Sequence, residues 1–441
     1  MFDDPFADAA SPALDLLRAY MRQHGRHSLS SDLTGRRFVV GRYACPEQLG
    51  NRMSDFLNAF IGAIVSNRTL LWQYCSDKEV CPYSGSVEGC DAVYRRRAWM
   101  ASSDEVLPRL GLVAQVPRYP KRLEPAPFRF MTPSYLARHP SADQLSCCGV
   151  DRLHERALDF GVVERREMAA LASRHATLGD AARRRAAQLF HDGVGVAYGA
   201  AFRAAFRASP QLVAASRREA QPQLQKLRIG MHLRHQQQGD DGSRLSAPLS
   251  CLRRLVSDGG GGGNGGNGAA APPSGCTVLL ASDRAATLER APDSFGGSGC
   301  NVVASGSSRA AMEAATTAAG TTVAGGHAIG AHGGRRASSV RPPREHGPFG
   351  AAGAARDLEL LTGANGGFIG TEVSSLSFLM YARAALAQLL RLRGSGGGGS
   401  DEARLVMHTL PGCRQQPAMP PAPSRWGSCR ETCRGVTSEA E

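Results

Sequence analysis

Lysine is nearly missing from this chain. Of 52 basic residues only Lys78, Lys121 and Lys226 are lysine, and the rest are arginine, set against 39 acidic residues. A net charge of +13 ordinarily points to nucleic acid. Here the arginines are scattered and do not interleave with aromatics, so a single-strand groove is not expected. With the Ala- and Gly-rich tracts the excess reads as compositional bias, and no nucleic-acid partner is expected. A basic face would still suit a ligand that carries phosphate. Paired C-x-x-C elements are missing among the 12 cysteines, which argues against a structural zinc site. No Asp-x-Asp occurs, which fits a route without a metal, and no cofactor is expected. The longest strongly apolar run, FLNAFIGAIV, is too short to cross a bilayer. The acidic opening MFDDPFADAASPALDLL lacks the basic start and apolar core of a signal peptide. The chain therefore reads as soluble, with membrane association only through an anchor preceding this sequence.

What is present is enough for about two domains at 441 residues. The 51 glycines cluster in tracts such as SDGGGGGNGGNGAAAPPSG (257–275), which cannot pack a core and read as flexible insertions. Phe38 to Tyr43 reads as a strand. Met53, Phe56, Leu57, Phe60, Ile61, Ile64 and Val65 follow at the spacing of an amphipathic helix, and Thr69 to Tyr74 is a second strand. Strand–helix–strand opens an α/β sandwich with a parallel sheet. Residues 76–150 are loop-rich. There Cys75, Cys81 and Cys90 either pair in an oxidising compartment or remain thiols. Residues 151–220 are helical, with Tyr198, Phe202 and Phe206 on one face. A second α/β unit begins with the strand Arg228 to Leu233. It continues through the strand TVLLA at Thr277, a helix from ATLERA, and a short strand at Asn301 to Ala304. Residues 305–350 read mostly as a surface loop. A helical stretch at Asp357 to Leu361, a strand GFIG at Gly367 and a long helix from Ser374 complete the unit. The chain divides into an N-terminal segment (1–35), an α/β domain (36–222), a Rossmann-like domain (223–394) and a disordered tail (395–441). Asn67-Arg68-Thr69 is an N-x-T sequon at a helix–strand junction and reads as chance.

Three strand ends in the second half carry polar groups: His232-Leu233-Arg234-His235, Ser282-Asp283-Arg284, and Thr371 to Ser375. In an open α/β sheet ligands bind outside the carboxyl ends of strands, so these loops are expected to share one crevice. Ser374 and Ser375 begin a helix, where hydroxyls and unpaired amides make an anion site. Arg234 can offer a bidentate fork to a phosphate. Together they suggest a site for a diphosphate. Taken singly, each has a plainer role. The serines would be an N-cap, Arg234 would pair with a carboxylate such as Asp283, His232 would be a satisfied core histidine, and Asp357 would cap DLELL.

The blocks GNRMSDFLNAFIGAIVSNRTLLW, IGMHLRH, VLLASDR and DLELLTGANGGFIGTEVSSLSFLMYA, in that order, resemble the fucosyltransferase superfamily. It contains the core α1,6-, the bacterial nodulation and the protein O-fucosyltransferases. The resemblance implies a GT-B architecture, two Rossmann-like domains facing a cleft, with GDP-fucose held mainly by the C-terminal one. It implies an inverting, metal-independent transfer, a nucleotide-sugar donor, a glycan or glycoprotein acceptor, and the Golgi or secretory pathway. His232 and Arg234 match the family's H-x-R motif, and Arg234 is the residue expected to hold the donor diphosphate and serve catalysis. Asp283 matches the second motif, Asp357 opens the third, and Ser374 and Ser375 match its paired serines. Asn51 and Arg52 match the GNR element and are expected to reach donor or acceptor. Departures are His235 in place of a second arginine, Arg284 after Asp283, and the extra length at Gly366-Gly367. No general base stands out, and Glu47, Asp55 and Glu372 are candidates by position. The alternatives are a catalytically inactive relative that binds nucleotide or glycan, and a basic scaffold that binds RNA.

Overall fold

The computed structural model describes residues 4–6, 9–30, 33, 36, 38–42, 49–73, 94–106, 108–110, 157–159, 178–220, 227–234, 245–259, 275–305, 348–371, 374–394, 405–410 and 412–415. Within them the first half runs α1 (Pro12–His24), β1 (Phe38–Arg42), α2 (Leu49–Ser66), β2 (Thr69–Gln73), β3 (Tyr94–Arg96), β4 (Ala101–Ser102) and β5 (Ala157–Asp159). Then come α3 (Leu178–Leu189), α4 (Val194–Ala205), β6 (Phe206–Ala208) and α5 (Pro210–Ala220). The second half opens with β7 (Leu227–Leu233), α6 (Ser246–Gly259), β8 (Cys276–Ser282), α7 (Ala285–Gly296) and β9 (Cys300–Ala304). It closes with α8 (Pro348–Leu361), β10 (Gly367–Thr371), α9 (Ser375–Gly394), β11 (Met407–Leu410) and β12 (Arg414–Gln415).

This is a mixed α/β fold on two largely parallel sheets. The first has the order β4-β2-β1-β5 and is parallel throughout. The second has the order β12-β11-β10-β7-β8-β9, parallel except for the terminal β12. A separate antiparallel ribbon joins β3 to β6. Helical crossovers cover both faces of a parallel sheet, which is why β8 is mostly apolar with all its residues buried. In the second sheet the chain steps outward from β7 to β8 and β9, then returns to set β10 and β11 on the other side. The order therefore reverses between β7 and β10, where an open sheet leaves a crevice outside its carboxyl ends.

The apolar stripe of α2 is buried at Met53, Phe56, Leu57, Phe60, Ile61, Ile64 and Val65. It joins one cluster with Leu14 and Leu17 of α1, Tyr198 and Phe202 of α4, and Phe378 and Leu379 of α9. This core runs across residue 222, and the segment before residue 36 is packed into it. A second cluster, with Met231, Leu252, Phe295 and Ile369, fills the other face of the second sheet. Helix α4 is buried all round except at Arg203, as its small apolar sequence VGVAYGAAFRAA requires. A side chain at Gly199 would collide with the Ala382 carbonyl of α9, so glycine is what lets these two helices touch. Beside it Tyr198 meets Phe378 edge-on at 5.0 Å.

Four local expectations change. Residues 157–159, in the stretch expected to be helical, are the strand β5, held by parallel pairing with β1. Helix α4 ends at Ala205, and Phe206 is extended (φ −123°, ψ 150°). Pairing of Phe206 with Arg96 across the ribbon overrides its helical spacing, although its ring still lies 5.2 Å from Phe202. Helix α8 starts at Pro348, because the alanine-rich stretch after it is strongly helix-forming. Asp357 is thus internal to a helix and buried; it neither caps nor opens one. The tail expected to be disordered from residue 395 supplies β11 and β12. Four buried residues, MHTL, are too short a run to carry a periodic signal.

Two disulfides appear among the described residues, and neither was foreseen. Cys276 and Cys300 are directly opposite one another in the β8–β9 register. Cys251 of α6 is joined to Cys413 between β11 and β12. Most of the glycine tracts, together with Cys75, Cys81 and Cys90, lie outside the described residues. No described helix is long and apolar enough to cross a membrane.

Candidate functional site

Strands β10, β7 and β8 are neighbours, and their register places Gly370 beside His232 and Leu233 beside Ser282. Because all three are parallel, Thr371, Arg234 and Asp283 emerge side by side along one edge. Thr371 ties the first two together. Its Oγ1 accepts the Arg234 amide at 2.8 Å and donates to the His232 carbonyl at 3.2 Å. The guanidinium-bearing residue is thereby held where β7 and β10 diverge. Arg234 itself is partly buried. Asp283 follows at the bend after β8, with the Arg284 amide donating to Ser282 Oγ at 3.2 Å.

Ser374 is an ordinary N-cap for α9, accepting the Ser377 amide on its Oγ at 3.2 Å. The amides of the first turn of α9 point out of the helix end. They lie at the positive end of the α9 dipole, which favours an anion. Ser377, which the sequence alone left unassigned, completes the arrangement. Its Oγ accepts the Thr371 amide at 3.2 Å and lies 2.5 Å from His232 Nδ1. His232 is only 4% exposed. Burial, and then the nearby Arg234 charge, push its pKa down to about 3, so the imidazole is neutral at physiological pH.

The first half of the chain reaches the same place. Gly50, in the first turn of α2, packs against the start of α9. A Cβ built there would lie 2.9 Å from the Leu376 amide nitrogen and 3.0 Å from Ser375 Oγ. Two helix N-termini from opposite halves of the chain therefore abut. Asn51 and Arg52 occupy that first turn of α2, next to Gly50, and Asp55 is one turn further on. The glycine of GNR is the signal that marks this approach in the sequence.

Asp357 is not brought to this edge. Helix α8 ends at Leu361, and the Gly366 amide that follows bonds to Arg228 at the amino end of β7. Asp357 lies one turn back from that helix end. Two residues on, Glu359 accepts the Tyr94 hydroxyl at 3.1 Å and pairs with Arg383 at 2.5 Å. Burial raises the Tyr94 hydroxyl well above its usual range, Glu359 adds to this, and Asp357 contributes further. Asp357 thus lies close to the polar junction that Glu359, Arg383 and Tyr94 make between α8, α9 and β3. His235, Glu47 and Glu372 lie outside the described residues.

Among the described residues, metal-ligating atoms gather at Cys251, His408 and Cys413. Both thiols there are spent in the disulfide, so that group offers no thiolate pair.

No protein-family model matches the chain, and no curated protein matches it. Solved structures resemble it at low similarity. A point mutant of FUT1 from Arabidopsis thaliana, in complex with GDP, is 13% identical over 91% of this chain and 79% of that one, with a TM-score of 0.43. Fucosyltransferase NodZ from Bradyrhizobium is 16% identical over 79% of this chain and 93% of that one, with a TM-score of 0.39. POFUT1 in complex with GDP-fucose is 10% identical over 86% and 99%, with a TM-score of 0.34. These neighbours are fucosyltransferases. At such identities and TM-scores the likeness carries no argument about this chain.

Proposed function

We propose that this chain is a glycosyltransferase that moves fucose from GDP-fucose to a hydroxyl of a glycan or glycoprotein, with inversion and without a metal. The observation that carries this reading is the convergence at the β7–β10 reversal. There the strand that delivers His232 and Arg234 meets the N-terminus of α9, and Gly50 lets the N-terminus of α2 close against it. Such a constellation suits two linked phosphates. In the transfer the acceptor oxygen bonds to the sugar C1 as the bond from C1 to the diphosphate oxygen breaks, and the electron pair leaves with GDP. Negative charge then grows on the phosphates. The Arg234 fork and the positive end of the α9 dipole, with the hydroxyls around Ser374 and Ser375, would stabilise it in place of a metal. In this reading Asp283 would orient the nucleotide, while Asn51 and Arg52 would reach donor or acceptor from α2. The proton of the acceptor goes to a carboxylate, for which Glu47, Asp55 and Glu372 are the candidates. A secretory compartment is in keeping with the two disulfides.

The test combines binding and turnover. GDP is expected to raise the melting temperature in a concentration-dependent way, reflecting about 2.7 kcal/mol at a hundredfold excess over Kd. GDP release from GDP-fucose, with and without glycan acceptors, is expected to separate a transferase from an inactive binder. Arg234→Ala should cost about 3–4 kcal/mol of barrier, a few hundredfold in rate, with the unliganded melting temperature unchanged. Indifference of the wild-type chain to GDP would overturn the reading.

A further inference from the structure

The hydroxyl of Ser377 is fully buried, and its hydrogen bonds can be followed one by one. Its oxygen accepts the Thr371 amide at 3.2 Å. Its proton has one acceptor among the described residues, His232 Nδ1 at 2.5 Å. A buried hydroxyl proton left unpaired is costly, so the proton goes to Nδ1. A neutral imidazole carries one N–H, and with Nδ1 accepting, that N–H must be on Nε2. His232 is neutral because burial, and then Arg234, disfavour its charge. Among the described residues Nε2 makes no hydrogen bond, although the side chain is nine-tenths buried.

We infer that Ser377 is a positioning residue, which holds His232 in the Nε2–H tautomer so that a single fixed donor faces the anionic ligand beside Arg234. This rests on the donor-site reading given above. The same serine binds the Thr371 amide, and Thr371 Oγ1 binds the Arg234 amide. One hydroxyl thus sets both the direction of the histidine donor and the seat of the arginine. A charged imidazolium could donate from both nitrogens and would need no such partner; a neutral one in the wrong tautomer would present a lone pair to phosphate oxygens and repel them.

The experiment is long-range 1H–15N NMR on chain labelled at histidine, at neutral pH, with His232→Gln to assign the ring. The expected wild-type result is a protonated Nε2 and an accepting Nδ1, with the Nε2 signal moved by GDP. Ser377→Ala should mix the tautomers and weaken GDP binding about tenfold, the size of one lost hydrogen bond to a charged group. Ser377→Thr, which keeps the hydroxyl, should restore both. A wild-type ring protonated on Nδ1 overturns the inference, and so does Ser377→Ala with unchanged tautomer and unchanged GDP affinity. The wild-type measurement decides the point even if the alanine variant fails to fold. Absence of GDP binding by the wild type would remove the donor-site reading, whereas the tautomer measured without ligand still tests the role of Ser377.

Discussion

His232 and His24 are both buried histidines held below their usual pKa, and the consequence for stability has a definite sign. Burial is the main cause in each, reinforced by Arg234 for His232 and by Arg36 and Arg185 for His24, where a hydrogen bond to Asn67 works the other way. The unfolded chain takes up these protons near pH 6.5 and the folded chain does not. Their contribution is therefore intact above about pH 6.5 and lost as pH falls from there toward the folded pKa, which is about 3 for His232. The slope is at most about 1.4 kcal/mol per pH unit for each histidine. Denaturant midpoints between pH 6.5 and 4.5 should thus fall less steeply in His232→Gln than in the wild type. Equal slopes would mean that His232 is charged in the folded state. The sequence marked His232 by its alternation within β7 but left open whether it was a core or a ligand residue. It is both buried and placed at the strand end, a combination that depends on Ser377, 145 residues away.

At the scale of elements, the close approach of α2 to α9 is the feature most exposed to a single change. Gly50→Ala would set a methyl 2.9 Å from the Leu376 nitrogen, where backbone rather than a flexible side chain must give way. Since small displacements of a positioning element cost up to about a hundredfold in rate, this variant should lose GDP-fucose turnover far more than it loses melting temperature. Unchanged turnover would show that the two helix starts act independently. The boundaries of α2, β7, β8, β10 and α9 were legible to within a few residues, because amphipathic or fully apolar periodicity is strong in each. The start of α8 and the switch at Phe206 were not. In the first, glycines masked an alanine-driven helix; in the second, cross-strand pairing outweighed local spacing.

For the molecule as a whole, the larger core cluster takes in α1, α2, α4 and α9 together, so the parts of the chain that frame the candidate site are packed as one. The tail is fastened as well. The Cys251–Cys413 disulfide spans a sequence separation of 162, against 24 for Cys276–Cys300. Loop-closure entropy assigns about 5 kcal/mol to the longer link and about 3.5 to the shorter. Replacing Cys251 and Cys413 by serine should therefore lower the melting temperature further than replacing Cys276 and Cys300. The reverse order, seen by calorimetry, would show that β11 and β12 add little to the sheet.

The sequence by itself determined the helices and strands that frame the site, which strand ends carry polar groups, and where a helix begins with serines. Each of these is written in the spacing of neighbouring residues, and spacing acts over one or two turns. Only the tertiary structure decided that β10 lies against β7 rather than β9, that α2 touches α9, which cysteines pair, and that Asp357 lies away from the strand ends. Those are contacts between residues far apart in the chain, chosen by how whole faces pack, and no local pattern records them.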